Sequence, residues 1–547
     1  MHYLTKVVII FAQMHSLSDI ADVLQTTSKL LELHDGNQFK IRGLAGAAFK
    51  LSKLHIPEGE FTEEGIIKHG GVGKAIAKTV LEIAQKGTSA ELSELLEKTP
   101  QGVVEMMNIK GLGPKKVKQL WHELEIDSVG ALLYACHENR LVTLKGFGEK
   151  TQKAVIESIE FLKGASGKSH YASVEELADG FVEELKELQY VSNINLTGAV
   201  YRKDQTLESI DILVAADEVF ENEFASPVPV NLIFTTEEEF YYDLVRTSST
   251  KEHLEKIKFD SLTDKNFISE QEVYEAMKLP YFIPEWREGL FEEKIATNYP
   301  KDIIEEKHLK GILHNHSTYS DGANTLSEMA NYCKELGYEY FGIADHSKSA
   351  TYAGGLKEED IFRQQAEIDK LNKELAPFKI LKGIECDILF DGSLDYDNEI
   401  LKTFDYVVAS IHQHFKMDEE KATARLIKAI ENPYTTILGH PTGRLLLARP
   451  GYPINHKKVI DACAANNVIM ELNSHPYRLD IDWTWIPYCL EKGVKISINP
   501  DAHEKNGFHD MHFGVAVARK GLLTKDFCFN ALSLSEIEKF LAEKKLR

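Results

Sequence analysis

The feature that most constrains this chain is a layout repeated through its C-terminal half. An apolar, β-rich run ends in a histidine or carboxylate, and a helical stretch follows. Leu313 leads into His314-Asn315-His316, with Asp321 just beyond and Gly322 behind it. Tyr340–Ala344 ends in Asp345-His346, Ile380–Ile384 in Glu385, and Tyr406–Ile411 in His412. Thr436–Gly439 ends in His440-Pro441, and Lys495–Asn499 leads to Asp501 and His503. Strands alternating with helices specify a wound or closed parallel sheet. In such folds the site gathers at the carboxyl ends of the strands. His314 and His316, one residue apart at a strand end, are expected to point the same way and share a cation. Two histidines alone fit a surface or satisfied core position equally well. Nine ligand-type residues, each at a strand end, are harder to explain that way.

From about His308 to the C-terminus these motifs resemble the PHP (polymerase and histidinol phosphatase) domain. The resemblance implies a distorted (β/α)7 barrel, two or three Zn or Mn ions and phosphoester hydrolysis. It implies that His314, His316, Glu385 and Asp501 hold one ion and that Glu385, His412 and His440 hold a second. Asp321, His346 and His503 would hold a third. Imidazole-rich ligands favour Zn or Mn over Mg or Ca. Glu385 and Asp501 are the carboxylates expected to be catalytic. Arg444 and Arg478 follow ligand strands and would either fork onto a phosphate or form a salt bridge on the rim.

The N-terminal part reads as helical from Ser16 to about Lys163. Within it, Gly71-Val72-Gly73-Lys74, Gly111-Leu112-Gly113-Pro114-Lys115-Lys116 and Gly146-Phe147-Gly148-Glu149-Lys150 repeat one pattern: Gly-apolar-Gly, then a helix start with lysine nearby. Two glycines allow a tight turn that exposes backbone N–H groups at a helix N-terminus, where a DNA phosphate fits. The plainer alternative is three glycine-capped turns with no ligand. The segments resemble helix-hairpin-helix motifs, and with Asn37–Arg42 and Ala47-Ala48 the region resembles the N-terminal domain of family X DNA polymerases. Animal repair members of that family carry a lyase lysine on the helix after the first hairpin. Here that position is Thr79, with Lys78 beside it.

After an expected linker at Gly164–Ser169, alternating strands are predicted over 195–202, 209–214 and 228–234. They resemble the palm of the same polymerase family, as does Leu279–Glu288. Only Gly198, Arg202 and Asp211 match the family's nucleotide site. Ala199 and Tyr201 replace a serine and an arginine, and Ser209 and Asn231 replace two metal-binding aspartates. Two-metal phosphoryl transfer needs several carboxylates, so the palm is expected to be a fold without its chemistry.

These readings divide the chain into residues 14–98 (lyase-like), 99–165 (helix-hairpin-helix), 170–298 (degenerate palm) and 308–547 (PHP). With 547 residues, 43% hydrophobic and 27% charged, the chain has the composition of a soluble globular protein. A net charge of −22 argues against a broadly basic DNA-coating protein, though local sites still bind phosphates. The six cysteines form no Cys-x-x-Cys pair, which fits a reducing cytoplasm, and Cys386 reads as a small core residue. No apolar run is long enough to span a membrane, and Val7–Ala12 is too short for a signal-peptide core. The helical pattern begins near Met14, so translation could start there or at Met1.

The resulting expectation is a monomeric DNA-repair phosphodiesterase. It would act as a 3′-5′ exonuclease on gapped, 3′-end or abasic DNA, with incision at abasic sites as a further activity. An active repair polymerase with a proofreading barrel, a histidinol-phosphatase-type small-molecule phosphatase and a non-catalytic DNA-binding scaffold are the competing readings.

Overall fold

The structure is a computed structural model that describes residues 17–546 except 55, 57–59, 143, 164–166, 221 and 223. The choice of start, the segment Val7–Ala12 and part of the expected linker fall outside those residues. The chain forms two compact units: residues up to Leu133 with Glu149–Ile159, and Tyr134–Gly148 with everything from Glu160 onward.

The first unit is helical, as its sequence pattern predicts. Helix α1 spans Leu17–Leu33 and α2 Gln38–Leu51, the latter capped by the Asn37 side chain, which accepts from the Phe39 and Lys40 amides. Later come Lys74–Lys86 and Pro114–Glu123. Ala77, Val80 and Ile83 are fully buried at helical spacing, as are Val117 and Leu120, so each helix turns one apolar stripe inward.

The second unit contains two sheets that matter for function. In the first, β1 (Val191–Thr197) pairs antiparallel with β2 (Ile210–Ala216), which pairs parallel with β3 (Val230–Thr235). Ala178, Phe181 and Leu185 of the helix Glu175–Lys186 pack with Ile210, Ile212 and Val214 of β2. The strand expected over 195–202 ends at Thr197. Gly198 takes a positive φ of 62° and starts a short helix, Gly198–Tyr201. A Cβ there would lie 2.4 Å from Asp211 Oδ2, so glycine is required twice over.

The second sheet has seven parallel strands in sequence order: β4 (Gly311–Ile312), β5 (Tyr340–Ile343), β6 (Lys379–Asp387), β7 (Tyr406–Ser410), β8 (Ile437–Leu438), β9 (Ile469–Asn473) and β10 (Ile496–Asn499). A helix separates each strand from the next. Beyond the two edge strands, Asn315 bridges to Ala502 and the His316 amide donates to the Ala502 carbonyl at 2.9 Å. The sheet is thereby almost closed into a seven-stranded barrel. Its interior is filled by Leu313, Tyr340, Leu381, Tyr406, Ile437 and Ile469, with Ile537 and Leu541 of the last helix. Gly383 is small because a Cβ would meet the Tyr406 ring at 2.3 Å. The packed interior leaves only the strand ends to build a site. All six cysteines are free and buried, and Cys386 donates its S–H to Asp395. No helix among the described residues is long and apolar enough to cross a membrane.

Candidate functional site

The carboxyl ends of the barrel strands bring all nine candidate ligands together, and each is nearly or fully buried or, for His412, about a tenth exposed. Glu385, at the end of β6, is the hub. Its Oε1 lies 3.1 Å from His314 Nε2, 3.1 Å from His412 Nε2 and 3.1 Å from His440 Nε2. Its Oε2 lies 2.9 Å from His346 Nδ1. Asp501 Oδ1 stands 3.0 Å from His316 Nε2 and 3.5 Å from His314 Nε2. Asp321 faces His346 and His503, each at 3.5 Å.

Donor atoms cluster into four overlapping groups: His316-Asp321-His346-His503, His314-Glu385-His440, His314-His316-Asp501 and His346-Glu385-His412. The three ligand sets implied by the sequence resemblance are thus drawn into one continuous cluster, in which His314, His316 and His346 each take part in two groups. Several donor atoms, among them His314 Nε2, Asp321 Oδ2, Glu385 Oε2 and His503 Nε2, are buried without a hydrogen bond. Buried polar atoms are nearly always satisfied. Imidazole and carboxylate donors left unsatisfied around common points fit divalent cations.

The route by which His314 and His316 converge differs from the expected strand alternation. The strand ends at Ile312, and His314 adopts a positive φ of 57°, as does Asp501 at 53°. Histidine and aspartate tolerate this region better than bulky residues do. The turns swing both side chains over the mouth, and such conformations cluster at functional sites.

Electrostatics inside the mouth are strongly coupled. Burial pulls His314, His316, His346, His412 and His503 down, but carboxylates reverse this at four of them. Glu471 and Glu385 hold His314 well above its usual range, and Asp321 and Glu385 do so for His346. Glu385 and Asp387 push His412 up to about 9, and Asp321 pushes His503 up to about 9. His316 goes the other way, to about 4, through burial and the neighbouring His503 and His346. Burial opposes ionisation of Asp321, Glu385 and Asp501, yet the surrounding imidazoles hold all three well below the carboxylate range.

Residues that sequence reasoning missed hold these ligands in place. Glu471 of β9 faces His314 Nδ1 at 2.6 Å and accepts the His440 amide at 2.6 Å. Asp387 faces His412 Nδ1 at 2.5 Å. Asp345 accepts from Ser317, Ser320 and Gln364 and so organises the loop after β4. The one available signal was a carboxylate inside an otherwise apolar strand. Arg444 donates to the Arg478 and Leu479 carbonyls and to Asp482 at 2.6 Å, clamping that loop. Arg478 is buried and turned toward Asp501.

The three Gly-apolar-Gly segments adopt one geometry. Gly71, Gly111 and Gly146 have φ of 56°, 90° and 90°, and Val72, Leu112 and Phe147 are buried beneath them. Gly73 and Gly113 are the N-cap residues of the helices that follow, and the third helix begins at Glu149, just after Gly148. A Cβ on Gly73, Gly113 or Gly148 would meet nothing within 4 Å, so the amide side of each turn is open. Lys74, Lys115 and Lys150 are exposed, and Lys116 reaches the Gly111 carbonyl at 3.3 Å. Thr79 bonds to its own helix through the Ala75 carbonyl, and Lys78 is exposed.

In the three-stranded sheet, register places Asp211 opposite both Thr197 and Asn231. Ser209 Oγ and Asn231 Nδ2 both donate to Asp211 Oδ1, at 2.9 and 2.7 Å. Arg202 is consumed by Asp204, Glu288 and the Ser248 carbonyl.

The PHP domain family matches residues 313–475, and the SAM-like Helix-hairpin-helix tandem family matches residues 103–160. The chain is 33% identical over 571 aligned positions to the "DNA polymerase/3'-5' exonuclease PolX" of Bacillus subtilis (strain 168), covering 96% of this chain and 99% of that protein. It is 28% identical over 249 positions to a probable phosphatase of Thermoanaerobacter sp. (strain X514), covering 42% of this chain and 94% of that protein. A probable phosphatase of Acetivibrio thermocellus is 30% identical over 199 positions, covering 35% of this chain and 78% of that protein.

Proposed function

This chain belongs to the PHP-containing family X polymerase family of the Bacillus subtilis DNA polymerase/3'-5' exonuclease PolX, and on that premise we propose that it is a metal-dependent DNA phosphodiesterase with a silent polymerase palm. Its barrel mouth removes nucleotides from DNA 3′ ends, and incision at abasic sites belongs to the same reading. The carrying observation is the buried convergence of nine histidine and carboxylate ligands in a chain that also presents three open Gly-apolar-Gly turns. Two or three Zn or Mn ions bound there would supply a hydroxide near neutral pH and stabilise the leaving oxygen.

The residues have separable tasks. Glu385 would hold a cation together with His314 and His440 or with His346 and His412, and Asp501 would do so with His314 and His316. Gly71, Gly73, Lys74, Gly111, Gly113, Lys115, Lys116, Gly146, Gly148 and Lys150 hold DNA phosphates through backbone amides and ammonium groups. Of the three positions where the polymerase family carries aspartates, Asp211 keeps its carboxylate, and its Oδ1 is already engaged by Ser209 and Asn231.

The deciding assay incubates a 5′-labelled primer-template with Mn, with and without the four nucleotides. Shortening in both conditions supports the reading. Extension with nucleotides and no shortening without them would replace it with an active polymerase.

A further inference from the structure

Between Leu133 and Glu149 the chain departs from the helical unit and joins the unit that holds the barrel. There Tyr134, only 3% exposed, sets its hydroxyl 2.7 Å from Arg478 Nε and 3.3 Å from Asp501 Oδ2. A guanidinium only donates and a carboxylate only accepts. The phenol therefore accepts from Arg478 and donates to Asp501, and both bond directions are fixed. The Arg478 guanidinium also lies 4.3 Å from the centre of the Tyr134 ring, with Glu138 Oε1 3.7 Å from its Nη2. Asp501 Oδ2 takes a further hydrogen bond from Asn473 Nδ2 at 3.0 Å. One oxygen of Asp501 is thus held by the scaffold, while the other faces His316 Nε2 at 3.0 Å.

We propose that Tyr134 is a positioning residue of the barrel's metal centre: it ties Arg478 to one oxygen of Asp501, so that the other oxygen stays aimed at the ligand histidines. This rests on the reading of the mouth as a divalent-cation phosphoesterase centre. Tyr134 lies in the sequence region of the helix-hairpin-helix motifs, 367 residues from Asp501. A 249-residue match, such as that to the Thermoanaerobacter phosphatase, is too short to include both. The contact therefore belongs to the long, multidomain chain and not to the barrel by itself.

The test compares full-length wild type with Tyr134→Phe and Glu138→Gln. Mn affinity of the metal-free protein is measured by calorimetry. kcat and KM are measured on bis(p-nitrophenyl) phosphate and on 3′-labelled DNA. Partners that orient metal ligands typically contribute 10–100-fold to affinity or activity. Tyr134→Phe should lower Mn affinity and kcat on both substrates by about tenfold, with KM for DNA unchanged. Glu138→Gln should shift both in the same direction by less. Wild-type Mn affinity and kcat in Tyr134→Phe would overturn the proposal. If that variant does not fold, an unchanged Mn affinity in Glu138→Gln overturns it instead. A wild type that binds Mn but cleaves neither substrate would sink the phosphodiesterase reading, and the affinity comparison would still decide the role of Tyr134.

Discussion

Glu471 lies 2.6 Å from His314 Nδ1, on the side of the imidazole opposite the ligand cluster. A carboxylate that accepts from Nδ1–H leaves Nε2 facing Glu385 and Asp501. The same carboxylate takes the His440 amide and the Asn499 side-chain amide at 2.6 and 2.7 Å, so one buried residue orients two ligands. Glu471→Gln should lower Mn or Zn affinity on the order of 10–100-fold while leaving DNA binding intact. Chelator competition measures the first and a filter-binding titration the second. Unchanged metal affinity would remove Glu471 from the centre.

Loss of the hub should be more severe. Glu385 lies within 3.1 Å of four histidines, and its removal leaves them buried around a missing charge. Glu385→Ala and His316→Ala are each expected to lower Mn-stimulated release of 3′ nucleotides by about 10²–10³. Nucleotide release at the wild-type rate in both variants would rule out the mouth as the nuclease centre.

Metal uptake should release protons. Against the effect of burial, the neighbouring carboxylates push His412 and His503 up to about 9 and hold His314 and His346 above the usual imidazole range. At pH 7–8 these imidazoles hold protons that a cation must displace. Each displaced proton makes log affinity rise by about one per pH unit below the pKa of its group. Affinity should therefore increase from pH 6 toward pH 9 and fall again on acidification. Calorimetry at pH 8 in buffers of different ionisation enthalpy reads the proton count directly, and a count of zero contradicts the electrostatic account.

DNA affinity should reside in the Gly-apolar-Gly turns despite the net charge of −22. For Lys115→Ala with Lys116→Ala, the slope of log affinity against log salt should flatten by about 0.9 for each duplex phosphate contact removed, or about 0.7 on single strands. A salt series that leaves the slope unaltered would place the DNA on another surface.

Templated synthesis should be absent. Asp211 Oδ1 is engaged by Ser209 and Asn231, neutral groups where a polymerase of this family carries aspartates. Each such electrostatic loss typically costs several kcal/mol of barrier, and about 1.4 kcal/mol is tenfold in rate. In a Glu385→Ala background, with nuclease activity removed, a primer-template with four nucleotides and Mg or Mn should stay unextended. Clear templated extension would restore the polymerase reading.

The convergence of the nine ligand-type residues was legible because they fall at or just beyond the ends of apolar runs, and strand ends converge in a barrel. The three Gly-apolar-Gly turns were legible because glycine and helix start fall at fixed spacing. His314 and His316 do converge, but not through strand alternation, since the strand stops at Ile312. Glu471, Asp387 and Tyr134 were not legible. Their roles depend on contacts across the barrel, and in the case of Tyr134 across 367 residues, which no local pattern encodes. For Arg444 sequence position offered either a phosphate contact or a salt bridge, and its guanidinium closes onto Asp482 and two carbonyls.

The excursion of Tyr134–Gly148 also has a topological consequence. The backbone passes between the two units three times, at 133/134, 148/149 and 159/160. A single protease nick at 133/134 keeps Tyr134–Gly148 on the piece that carries the barrel, whereas a nick at 148/149 or 159/160 leaves that segment on the N-terminal piece. A fragment beginning at His308 would retain every candidate metal ligand but would strip Arg478 of Tyr134 and Glu138, leaving its buried guanidinium with Asp501 and without those two partners. The barrel is thus a module by sequence and not by cutting. Its inner scaffold is threaded from a part of the chain that precedes the three-stranded sheet.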